Sequence, residues 1–181
     1  MNIHYDPNHL TATAFRIKEM GDGFLCLVDF PFKTPRTSTI ESIAYRLAGE
    51  FVRVFAAEVD SYFRSKHYTC GIGIAKGEVE GFFPSSGTRE YDLFGDGIIH
   101  ATRYESMRKH LASPDLSKNI IILQESVYEG LSAEEQADLI EVDLKKAKLS
   151  VRDDSTATKI YFKTDTWSFF LQNQGKNLSF R

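Results

Sequence analysis

The chain has 181 residues, 42% hydrophobic and 26% charged, which suits one domain with its own core and argues against several. Its 22 Lys and Arg against 25 Asp and Glu give a net charge of −3 with no long basic block, so nucleic acid is excluded as a main partner. No apolar run approaches the ~20 residues of a membrane helix, and the first residues lack a secretion-signal pattern, so a cytoplasmic chain without a membrane segment is expected.

Residues 1–12, with His4, Pro7, Asn8 and His9 outside any period, read as an irregular lead-in to a domain over 13–164. Gly21-Asp22-Gly23 separates the strand-like Ala14–Lys18 from the apolar Phe24–Val28, the pattern of a hairpin with Asp22 at its tip. After Pro31 and Pro35, Ser38-x-x-Glu41 reads as a capping box for a long helix. Ile40, Ile43, Ala44, Leu47, Ala48, Phe51, Val52, Phe55, Val59 and Phe63 recur along it at helical spacing and predict one core face.

Tyr68–Ala75 and Glu78–Phe83 predict a second hairpin turning at Lys76-Gly77, followed by a polar loop over Pro84–Arg89. Tyr91–Phe94 is a short extended piece, and Gly97–Ala112 a helix with Asp96 as its cap. Asn119–Leu123 is a buried strand by its apolar run. Glu125–Leu131 and Ala133–Leu139 are short helices, the second opened by Ser132-x-x-Glu135. Leu149–Arg152 and Thr158–Lys163 are predicted strands, and Trp167–Leu171 a strand within a C-terminal segment over 165–181. The order predicts an α+β fold, a mainly antiparallel sheet with helices on one face.

Three stretches carry chemistry: Lys18-Glu19-Met20-Gly21-Asp22, Gly71-Ile72-Gly73-Ile74-Ala75-Lys76-Gly77, and Tyr91-Asp92-Leu93-Phe94-Gly95-Asp96 with Ala101-Thr102-Arg103-Tyr104-Glu105-Ser106 behind it. In this order and spacing, from about Arg16 to Lys163, the chain resembles the catalytic domain of class III nucleotidyl cyclases. The resemblance implies a ferredoxin-like core, conversion of ATP to 3′,5′-cyclic AMP and pyrophosphate, and a site between two subunits, as a homodimer or a heterodimer with another cyclase domain. It also implies Mg²⁺ or Mn²⁺, and Asp22 matches one of the family's two metal aspartates.

Lys18 and Asp92 match the pair that reads adenine; guanine-reading relatives carry Glu and usually Cys there. The chemistry is consistent, since Lys donates to a ring-nitrogen acceptor and Asp accepts from the exocyclic amine. Arg103 matches the arginine on phosphate in the transition state, where a planar cation with several donors suits a pentavalent centre. For the basic residue that the family places on the triphosphate, Arg152 and Lys159 are the two candidates.

Two departures stand beside these matches. The family's first strand, carrying the other metal aspartate, has no counterpart ahead of Asp22, and Ile99 stands where the family has the Asn that orients the ribose. A fragment and a natural pseudo-cyclase are both consistent with the first departure. The rival reading is therefore a catalytically silent cyclase homology domain that regulates or binds; a cyclase for another nucleotide is the third. Cys26 and Cys70 lack C-x-x-C spacing, the five histidines lack metal-ligand spacing, and Gly71 to Gly77 is no phosphate loop, because no G-K-[ST] follows and no helix opens behind it.

Overall fold

The computed structural model describes residues 13–31, 33–34, 38–62, 68–83, 92–111 and 118–164. The predicted lead-in, the Pro84–Arg89 loop, Tyr91 and the strand at Trp167–Leu171 lie outside them. The elements in chain order are β1 (Phe15–Met20), β2 (Gly23–Leu27), α1 (Ile40–Tyr62), β3 (Gly71–Ile74), β4 (Glu80–Phe82), β5 (Asp92–Phe94), α2 (Asp96–Ser106) and α3 (Arg108–Leu111). Then follow β6 (Ile120–Gln124), α4 (Glu125–Tyr128), α5 (Ala133–Gln136), β7 (Ile140–Asp143), α6 (Leu144–Ala147) and β8 (Lys159–Thr164). No helix among the described residues is long and apolar enough to cross a membrane.

β1 and β2 form the predicted antiparallel hairpin, and Gly21 takes a φ of 65° in the turn, where a side chain would be strained. The main sheet has the order β3-β6-β8-β7. β3 runs parallel to β6, and β8 is antiparallel to both β6 and β7, which gives the α+β class read from the sequence. β6 is the centre of the molecule, because Ile120, Ile121, Ile122 and Leu123 are at most 2% exposed. Its alternate residues serve opposite faces. Ile121 and Leu123 pack with Tyr45, Ala48 and Val52 of α1, whereas Ile120 and Ile122 pack with Tyr104 of α2 and Met107. Helices therefore cover both faces of β6, correcting the one-sided layering, and this is why the strand reads as an unbroken apolar run.

The predicted second hairpin does not form. β3 takes β6 as its neighbour and β4 pairs with β5. The reason lies in the alternation of Gly and Ile along β3. Ile72 and Ile74 pack against the α1 cluster, while a Cβ on Gly73 would stand 2.1 Å from the Ala101 carbonyl oxygen and 2.4 Å from the Glu105 nitrogen. The backbone of α2 thus rests directly on β3, and that contact aims the rest of α2.

Three local expectations also change. Thr39 caps α1, its hydroxyl accepting from Ser42 N at 3.2 Å, and Glu41 turns instead to Lys76 Nζ at 2.6 Å. Asp96 is the first helical residue of α2 behind Gly95, so it faces the positive end of the helix dipole without capping it by a side-chain bond. Leu149–Arg152 is irregular, and the edge strand β7 lies earlier at Ile140–Asp143. The Ser132–Glu135 capping box is present as predicted.

Among the described residues β2 pairs only with β1, and β3 only with β6. Residues of β2 and β3 line one cavity of about 920 Å³, together with Leu47, Phe51 and Phe55 of α1. The apolar face predicted for α1 thus divides: Ala48 and Val52 are buried, joined by Tyr45 that the period did not include, and the half-buried Leu47, Phe51 and Phe55 front the cavity, while Phe63 lies outside the described residues.

Candidate functional site

Lys18 on β1 and Asp92 at the start of β5 come from two separate hairpins, 74 residues apart, and the Lys18 Nζ donates to Asp92 Oδ1 at 2.7 Å. Leu93 N donates to the same oxygen at 2.9 Å. The side chains are 52% and 37% exposed, so a ligand can reach both. The Lys18 hydrogen bond, helped by Leu93 N, holds the Asp92 carboxyl below its usual range. At neutral pH Asp92 is therefore an ionised acceptor beside the Lys18 Nζ donor.

Arg103 projects from α2, where its Nε donates to Asp153 Oδ2 at 2.7 Å. Arg152 Nε meets that same oxygen at 3.3 Å. Asp153 sits in the connection between α6 and β8 with a φ of 63°, a left-handed geometry that Asp tolerates better than most residues but that still costs about 1 kcal/mol. Its neighbours hold it there. Val151 is 4% and Asp154 6% exposed, and Asp154 accepts from Tyr104 Oη at 2.9 Å, Thr156 Oγ1 at 2.9 Å and Gln124 Nε2 at 3.3 Å. His100 Nε2 lies 3.1 Å from the Asp153 carbonyl oxygen. His100, Arg103 and Tyr104 stand three and four positions apart on α2, so one helix face grips one turn.

Of the two candidates for the triphosphate, Arg152 therefore meets Arg103. Lys159 instead pairs with Glu141 across the β7–β8 ladder at 3.1 Å, and that contact raises its pKa. Ile99, one turn before Arg103, is 42% exposed. Asp22 lies in the β1–β2 turn, lines the cavity, and has no partner among the described residues. Among those residues, no three of His, Cys, Asp or Glu gather into a metal-binding group. Asp153, Asp154, Tyr104 and Gln124 were not singled out from the sequence; the adjacent acids in Arg152-Asp153-Asp154-Ser155 and the tyrosine beside Arg103 are the signals that point to them.

The turn also sets a pH response. Burial pushes the Asp154 carboxyl up, but Thr156, Tyr104, His100 and Gln124 together hold it below its usual value. Burial and the Asp154 contact push the Tyr104 phenol well above its own. A lowered carboxyl contributes stability above its unfolded pKa of ~3.9 and loses it as pH falls through the folded value; a raised phenol contributes fully below ~10 and loses it as pH climbs beyond. The contribution of this contact to the urea midpoint should therefore stay level between those limits and fall on both sides. Tyr104→Phe should shallow the alkaline fall, leaving the part due to Cys26 and Lys159, whose pKa values are also raised, to Tyr45, whose pKa is pushed up to about 12, and to Tyr161. An alkaline limb as steep as that of wild type would refute the role given to the Tyr104–Asp154 contact.

No family model, curated protein or solved structure matches the chain.

Proposed function

We propose that the chain is the catalytic domain of an adenylate-type class III nucleotidyl cyclase, a cytoplasmic enzyme forming 3′,5′-cyclic AMP and pyrophosphate from ATP. The observation that carries this reading is the Lys18–Asp92 contact at 2.7 Å. Two residues that the motifs assign to one purine edge, far apart in sequence and on separate hairpins, stand in hydrogen-bond reach with both faces open to a ligand. Lys18 donates to the ring nitrogen of adenine and Asp92 accepts from its amino group; guanine reverses both groups and leaves both side chains mispaired. Arg103 stabilises charge on the α-phosphate as the ribose 3′-oxygen attacks in line and pyrophosphate departs.

When bound, Mg²⁺ or Mn²⁺ would neutralise the leaving phosphates and would make the 3′-hydroxyl more acidic. Asp22 is the carboxylate of this chain that would hold it. A hard cation takes about six oxygen ligands, so one carboxylate suits a metal that arrives with the oxygens of the triphosphate. Asp22 lines the cavity, whereas Lys18, Asp92 and Arg103 stand outside its lining. That separation suits a site completed by a second cyclase domain, in a homodimer or heterodimer.

The second reading, a silent cyclase homology domain, draws on Ile99, an exposed apolar side chain where a ribose-binding amide belongs. One experiment addresses both readings. In the protein assembled with its partner domain, Lys18→Glu with Asp92→Cys should lower the ATP-to-GTP ratio of kcat/KM by at least about tenfold, since each mispaired contact costs about 1–3 kcal/mol. An unchanged ratio removes these residues from base reading. No cyclic product from either nucleotide with Mn²⁺, while ATP still binds, selects the silent domain.

A further inference from the structure

We infer that Asp153 is a positioning residue that sets Arg103 and Arg152 side by side as a clamp for one phosphoanion. This rests on the phosphate chemistry proposed for Arg103 and extends it. Both guanidinium groups meet a single atom, Asp153 Oδ2, and both do so through Nε, at 2.7 Å and 3.3 Å. That leaves the terminal nitrogens of each arginine without a partner among the described residues. A carboxylate that competed with the ligand would take the outer fork of the guanidinium, the edge that grips an anion with two parallel bonds. Here the inner edge is anchored and the outer edges stay open.

Two cations brought together repel, and the carboxylate between them offsets that repulsion while the pair keeps one net positive charge. The anchor does not drift with the ligand, because Val151 and Asp154 are buried on either side of Arg152 and Asp153 and His100 meets the Asp153 carbonyl oxygen. Lys159, satisfied by Glu141, stays outside the clamp.

The test uses the full chain and pyrophosphate as the probe, with calorimetric titration and the ¹⁵N signal of the Arg103 Nε–H. Asp153→Gly keeps the positive φ without strain and removes the carboxylate, while Asp153→Asn keeps the turn and an acceptor but removes the charge. Simple charge repulsion predicts that losing an acid tightens anion binding. Positioning predicts the opposite: Asp153→Gly should weaken pyrophosphate about 3- to 10-fold and bring the Arg103 Nε–H into fast exchange, with Asp153→Asn between it and wild type. Adding Arg103→Ala to Asp153→Gly should cost little beyond Arg103→Ala alone, because the two residues act as one unit. Unchanged or tighter binding in Asp153→Gly, or an Nε–H signal that does not change, overturns the positioning role even though Arg103→Ala weakens binding. If wild type does not bind pyrophosphate, or Arg103→Ala and Arg152→Ala bind it as wild type does, the phosphate chemistry itself fails and the clamp falls with it.

Discussion

Gly73→Ala should destabilise the domain by about 3 kcal/mol or more, the upper end for overpacking, and lower its melting midpoint by roughly 10 °C. The new methyl would lie 2.1 Å and 2.4 Å from main-chain atoms of Ala101 and Glu105, so relief requires moving the helix backbone. A side chain in that position would swing aside; a hydrogen-bonded helix moves as a body. Gly23→Ala is the matched control, since its methyl would meet only the Met20 carbonyl oxygen at 3.6 Å, an ordinary contact. Because α2 carries Arg103, any folded Gly73→Ala protein should also bind pyrophosphate more weakly than wild type. A Gly73→Ala midpoint within a degree or two of the Gly23→Ala midpoint would mean that α2 does not rest on β3 as described.

On the proposed cyclase reading, Arg103→Ala in the protein assembled with its partner domain should lower kcat by about 10²- to 10³-fold, the loss expected when one preorganised contact to developing charge disappears, and raise KM for ATP by a much smaller factor as the phosphate clamp loses one arm. Stability should barely move, because the Arg103–Asp153 pair is partly exposed and such pairs contribute little. Arg103→Lys should restore only part of the rate, because an ammonium lacks the planar fork and has no Nε for Asp153 to hold. Ile99→Asn is the companion, expected to raise the single-turnover rate by giving the ribose a hydrogen-bonding partner. An Arg103→Ala enzyme as fast as wild type would take the arginine out of the reaction. A wild type without turnover that Ile99→Asn fails to rouse would leave the silent homology domain as the better account.

What was legible in the sequence was local. The β1–β2 hairpin follows from Gly-Asp-Gly between two strand-like runs, α1 from a helical apolar period, and β6 from an apolar run too short for a helix. Each signal lies within a few residues of the element it specifies. Lys18, Asp92 and Arg103 were nominated differently, through the family resemblance carried by the short motifs around them. Residue types could not show that Lys18 touches Asp92 across 74 residues, because the contact depends on where the β1–β2 and β4–β5 hairpins stand relative to each other.

The tertiary structure decided the pairings and the partners. Lys76-Gly77 looks like a turn that would fold β3 back on β4, yet β3 joins β6 instead. There its two half-buried isoleucines pack against the α1 cluster and its glycine admits α2, so both faces of one strand are used at once. The apolar period of α1 marked a face without saying which part buries against β6 and which fronts the cavity. Arg152 and Lys159 were equivalent as letters; only the cross-strand Glu141, reached through the β7–β8 register, and the left-handed turn at Asp153 told them apart. Charge pairs of this kind are set by long-range packing, because a carboxylate selects its cation by distance and the fold alone sets that distance.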